Sequence, residues 1–107
     1  MNNIDEILGK TEFLEVLNSN TLVLADFYAS WCGPCKLQTP ILAEFQKEME
    51  KKIKIIKIDV DQNPDLANLY DVQSIPTLVI FSQGEYKEKT VGLTAKATLS
   101  EMLIKYL

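Results

Sequence analysis

Leu22-Val23-Leu24-Ala25-Asp26-Phe27-Tyr28-Ala29-Ser30-Trp31-Cys32-Gly33-Pro34-Cys35-Lys36 joins an apolar run to a pair of cysteines. Residues 22–28 are almost continuously apolar, the pattern of a central strand covered on both faces. Trp31 to Lys36 holds both cysteines of the chain, three residues apart. A segment with helical periodicity follows, so the cysteines fall where a strand hands over to a helix. Two cysteines at that spacing can close a small disulfide ring and reopen it. The first lies at the helix start, where free backbone N–H groups and the helix dipole favour negative charge. That lowers a thiol pKa and raises the fraction of thiolate, the nucleophilic form.

Zinc takes about four ligands, and the chain offers two cysteines and no histidine. Carboxylates or a second chain would have to complete such a site. A structural disulfide across so short a loop removes little chain entropy. Two unrelated buried thiols would not call for the Gly33-Pro34 spacer or for Trp31 beside them. The reading adopted is a redox-active dithiol built from Cys32 and Cys35.

The 107 residues suffice for one domain, read as 1–107, with one core. Hydrophobic residues at 47% and charged residues at 24% suit a folded globular chain. The net charge of −4 offers no basic face for phosphates, so no nucleic-acid partner is expected. No apolar run approaches the roughly 20 residues of a membrane span. The start, Met1-Asn2-Asn3-Ile4-Asp5-Glu6, lacks the pattern of a secretory signal. The expected location is therefore the cytoplasm, where thiols are kept reduced and a cysteine pair tends to be catalytic.

In chain order, residues 4 to 8 read as an edge strand. Thr11-Glu12 can cap a helix whose inner face carries Phe13, Val16 and Leu17, ending at Asn18-Ser19-Asn20. Ile41, Leu42, Phe45 and Met49 mark a long helix after the cysteines, with Pro40 expected to kink it. Ile53 to Val60 is a second buried strand. Strand, helix and strand make a right-handed parallel crossover. Asn63-Pro64 starts a short helix with Leu66, Ala67, Leu69 and Tyr70 turned inward. Thr77 to Phe81 is a third core strand. A turn at residues 82–85 leads to Tyr86–Val91, whose charges suit a sheet edge. Gly92 ends it, and Thr94 caps a last helix with Ala95, Leu99, Met102, Leu103 and Tyr106 on one face. The predicted fold class is α/β: a mixed sheet, parallel in front, an antiparallel hairpin behind, with helices on both faces.

Asp26 is a carboxylate inside an apolar strand. Ionising it there is costly, so its pKa should be raised, and such a group can move a proton at neutral pH. Lys57, between Ile56 and Ile58, is the expected charge partner. A buried pair with no catalytic part stays an alternative.

Over essentially its whole length the chain resembles the thioredoxin family. Asp26-Phe27, Trp31-Cys32-Gly33-Pro34-Cys35-Lys36, Pro40, Lys57, Asp59, Ile75-Pro76-Thr77, Gly84 and Gly92 carry the resemblance. It implies a thioredoxin-like fold and a protein-disulfide reductase, with Cys32 as nucleophile and Cys35 as resolving thiol. It sets Asp26 behind the pair, makes Ile75-Pro76 a cis bond, and turns the Ser74-Ile75 backbone toward the substrate. Trp31, Gly33, Pro34 and Gly92 would complete a shallow apolar rim. Its partners would be disulfide-containing proteins and a flavoprotein thioredoxin reductase. No cofactor and no membrane association are implied, and the protein is read as a monomer. Gly33-Pro34 lacks the thiolate-stabilising residue that oxidising relatives place between their cysteines, which favours a reductant. An oxidase or isomerase, or a non-catalytic stabilising subunit, are the alternatives. Tyr28 and Ser74 depart from the common tryptophan and glycine and bear on substrate preference.

Overall fold

The computed structural model describes residues 4–107. The opening residues on which the absence of a signal was read therefore lie partly outside the described residues. One five-stranded sheet runs in the order β1-β3-β2-β4-β5. Its strands are β1 (Asp5–Ile7), β2 (Leu22–Tyr28), β3 (Lys54–Asp59), β4 (Thr77–Ser82) and β5 (Glu85–Val91). The helices are α1 (Lys10–Ser19), α2 (Gly33–Met49), α3 (Pro64–Leu69) and α4 (Lys96–Leu103). β1 and β2 both pair parallel with β3, while β2–β4 and β4–β5 are antiparallel. This is the predicted mixed sheet, with α2 as the crossover between β2 and β3.

Period-two alternation along the strands builds two cores. Val23, Ala25, Phe27, Ile56 and Ile58 pack under Phe13 and Leu17 of α1 and Leu66 of α3. Leu22, Leu24, Ile55, Leu78 and Ile80 pack under Leu42 and Phe45 of α2 and Leu99 and Leu103 of α4. Full burial of each of the Val, Leu, Ile and Phe side chains among them contributes roughly 1.5–3 kcal/mol. Asp26 follows Leu24 on the α2 side. Its register partner Lys57 follows Ile55 on the same side.

Several local readings need correction. Gly9, not Thr11, precedes α1, at φ +89°, a conformation open to glycine, and its carbonyl accepts the Phe13 N–H at 3.2 Å. Leu69 is exposed rather than turned inward. Leu66, Ala67 and Tyr70 span about 100° of the α3 surface, and Leu69 lies about 60° outside that arc. Thr94 does not cap α4: Ala95 is the N-cap and is exposed, while the Thr94 hydroxyl donates to the Gly92 carbonyl. Pro40 does fall inside α2, where its missing N–H leaves the Lys36 carbonyl without its helical donor.

Asn63 precedes α3, but its buried side chain does not cap the helix. It accepts the Gly9 N–H at 2.8 Å and donates to the Asp59 and Ile7 carbonyls at 3.0 and 3.4 Å. It thereby ties the turn after β1 to the end of β3. Asn63→Ala is expected to cost about 2–4 kcal/mol in denaturant unfolding, because buried backbone groups lose their partners. A loss under about 0.5 kcal/mol would contradict that role.

Candidate active site

Cys32 is the N-cap of α2 at the carboxyl end of β2, with extended backbone (φ −89°, ψ 115°). Its Sγ accepts the Cys35 N–H at 3.2 Å, one of the free donors of the first helical turn. Cys32 and Cys35 are joined as a disulfide with Cα atoms 5.3 Å apart. Both cysteines are buried to a similar degree, at 5% and 3% exposed. The closed ring packs with Ala29 against Tyr28, Val60 and Ile75.

Ile75-Pro76 is cis, and the Ile75 carbonyl oxygen lies 3.8 Å from Cys32 Sγ. Ser74 is exposed, and its carbonyl accepts the Thr77 hydroxyl. The Gly92 N–H donates to the Pro76 carbonyl at 2.8 Å, which draws the end of β5 alongside. Trp31 is 69% exposed, and its indole N–H donates to the Asp61 carboxylate at 2.8 Å. Gly33 and Pro34 are exposed in the first turn of α2. The fold thus gathers Trp31, Cys32, Ile75, Pro76 and Gly92 on one end of the sheet.

Asp26 is fully buried, and neither carboxylate oxygen has a hydrogen-bond partner among the described residues. Burial pushes its pKa from 3.8 up to about 7. The positive charge of Lys57 pulls it back down, and Glu6 adds a smaller upward push. Lys57 therefore acts on Asp26 through space, without the contact expected of a charge partner. Its ammonium donates to the Thr39 hydroxyl at 3.1 Å and sits 4.2 Å from the centre of the Tyr28 ring. The Tyr28 hydroxyl in turn donates to Glu6. A small cavity of about 70 Å³ opens here, lined by Tyr28, Ala29, Ser30, Cys35, Lys36, Thr39 and Lys57. It has room for water between Cys35 and the Lys57 ammonium. Lys57→Met is expected to move the Asp26 carboxyl further above 7, read by NMR titration of its carboxyl carbon. A fall would contradict the assigned sign.

Sequence reasoning missed Asp61, Thr39, Glu6 and Gln38. The first three are polar residues on separate elements, and only tertiary structure joins them to the site. Gln38 did leave a signal: it interrupts the buried stripe Cys35, Gln38, Leu42, Phe45 of α2. Among the described residues no three metal-ligating side chains cluster, and no helix is long and apolar enough to cross a membrane.

The thioredoxin family model matches residues 6–105. The chain is 51% identical over 89 residues to the thioredoxin of Bacillus subtilis, covering 83% of this chain and 86% of that one. It is 42% identical over 105 residues to the thioredoxin of Rickettsia typhi, covering 98% and 97%. Among solved structures, a thioredoxin variant from Halobacterium salinarum superposes with a TM-score of 0.89 at 40% identity, covering 95% of this chain and 88% of that one. A mitochondrial thioredoxin of Saccharomyces cerevisiae in its oxidised form gives 0.88 at 31% identity, covering 95% and 94%. With the same sheet, and with a cysteine pair that closes at the start of α2, the chain belongs to the thioredoxin family and is a thiol–disulfide oxidoreductase with protein-disulfide reductase activity.

Proposed function

We propose that the protein reduces substrate disulfides through Cys32 as nucleophile and Cys35 as resolving thiol. The observation that carries this assignment is the position of Cys32 at the N-cap of α2, with its sulfur on a free helical N–H. In the reduced protein that donor and the helix dipole favour the Cys32 thiolate. The thiolate attacks one sulfur of the substrate disulfide, forms a mixed disulfide and releases the first substrate thiolate. Cys35 then attacks the Cys32 sulfur, closes the Cys32–Cys35 bond and releases the second. Two electrons pass to the substrate.

Asp26 accepts the Cys35 proton in that second step. Its raised pKa, about 7, matches a group that must take up and give back a proton near neutrality. Lys57 steadies the ionised form of Asp26. The substrate chain lies extended over Ser74, Ile75 and Pro76, with Trp31, Gly33, Pro34 and Gly92 as the apolar rim around the sulfurs. Residues 1–107 act as one domain and a monomer in the cytoplasm. A flavoprotein thioredoxin reductase returns the electrons.

The test couples the oxidised protein to NADPH and a flavoprotein thioredoxin reductase, with insulin as disulfide substrate. Steady NADPH consumption that depends on both proteins is expected. Reduction by a ferredoxin-linked reductase alone would replace the partner, and reduction by neither would overturn the proposed cycle.

A further inference from the structure

Gln38 lies three residues beyond Cys35 on the inner face of α2 and is fully buried. Its amide is committed to a single residue. Gln38 Nε2 donates to the Thr94 carbonyl at 3.0 Å, and the Thr94 N–H donates to Gln38 Oε1 at 2.8 Å. The side chain pairs with the Thr94 backbone as a neighbouring strand would. Thr94 is itself buried, and its hydroxyl donates to the Gly92 carbonyl at 3.0 Å. The Gly92 N–H is held by Pro76 at 2.8 Å. The segment Gly92–Thr94 is therefore fastened at both ends, one to the loop after Ile75 and the other to the helix that carries the cysteines. Leu93, between the two fastenings, is 49% exposed. Its backbone is set by these bonds.

An apolar residue at position 38 would fill the space as well, and would match Leu42 and Phe45. It would also leave the buried N–H and carbonyl of Thr94 without partners. The amide therefore carries a constraint that packing alone does not supply. That constraint links two parts of the active-site end of the sheet.

We propose that Gln38 is a positioning residue for substrate docking: by clamping Thr94 to α2, it fixes the Gly92–Leu93 rim relative to the Cys32–Cys35 pair. This rests on the reading that the Gly92 rim receives the substrate chain. A protein disulfide needs that rim, whereas a small disulfide reaches the sulfurs without it.

The experiment compares kcat/KM for insulin with kcat/KM for glutathione disulfide. Gln38→Met keeps the length of the side chain and removes both bonds. The insulin-to-glutathione ratio is expected to fall about tenfold, carried by KM for insulin rather than kcat. Gln38→Glu supplies a pH-dependent rescue. Its protonated carboxyl can accept from the Thr94 N–H and donate to the Thr94 carbonyl, whereas its ionised form cannot donate. The ratio should recover as pH falls through the raised pKa of the introduced buried acid. An unchanged ratio in folded Gln38→Met, or no recovery of Gln38→Glu at low pH, overturns the proposal. Should Gln38→Met fail to fold, the pH dependence of Gln38→Glu decides alone. Leu93→Asp alters the rim without touching the clamp. If it lowers the ratio while Gln38→Met does not, the role of Gln38 fails and docking at the rim stands. If it leaves the ratio intact, the docking reading fails, and the Gln38 proposal with it.

Discussion

Cys35→Ser is expected to stop the reaction halfway and accumulate a mixed disulfide between Cys32 and the substrate, whereas Cys32→Ser should form none. The asymmetry follows from position. Cys32 is the N-cap with its sulfur on a helical N–H, while Cys35 lies inside the first turn beside the cavity. Both variants should lose more than about a thousandfold in insulin reduction, because each thiol serves a step the other cannot perform alone. Mass spectrometry of the intact adduct distinguishes them. A trapped adduct through Cys35 in Cys32→Ser would reverse the assigned roles. Normal turnover by either variant would remove the two-thiol mechanism.

Asp26→Ala is expected to make the protein more stable and slower. In the folded protein burial raises this carboxyl from 3.8 to about 7, so it is protonated where the unfolded chain has it ionised. Stability from this group is fully present below about pH 4 and falls as pH rises toward 7. Above that, burying the ionised form costs about 4 kcal/mol, at roughly 1.36 kcal/mol per pKa unit. Asp26→Ala should flatten this slope and gain a few kcal/mol at neutral and alkaline pH, after the cost of the smaller side chain. Resolution of the mixed disulfide should slow by about a hundredfold near pH 7. The deficit should shrink at alkaline pH, where Cys35 ionises without a base. Stopped-flow release of substrate against pH, with urea unfolding of both proteins, checks the pair of effects. Raised stability with unchanged release would leave Asp26 a buried charge with no part in catalysis.

The sequence made the sheet legible because its strands are short apolar runs bounded by breakers. The 22–28 run, the Ile53–Val60 run and Thr77–Phe81 correspond to β2, β3 and β4 within a residue or so. The cysteine motif was legible because its chemistry depends on spacing along one helical turn. Helix starts were less so. Gly9 and Ala95, neither with a capping side chain, precede α1 and α4, while of the better capping candidates Thr11 lies inside α1 and the Thr94 hydroxyl donates to the Gly92 carbonyl. Lys57 lies on β3 in register with Asp26, but its ammonium goes to the Tyr28 ring of the paired strand β2 and to Thr39, a partner visible only once α2 is folded over the sheet. Gln38 and Thr94, 56 residues apart, could be paired only by the packing of α2 beside the end of β5.

The equilibrium reduction potential of the Cys32–Cys35 couple decides whether it works as a reductant. Oxidised and reduced protein would be equilibrated against glutathione or dithiothreitol buffers and the two forms counted after acid quenching. A value near that of thioredoxins, roughly −270 mV, is expected. A value between roughly −120 and −180 mV would instead mark an oxidant or isomerase and contradict the direction of electron flow proposed here.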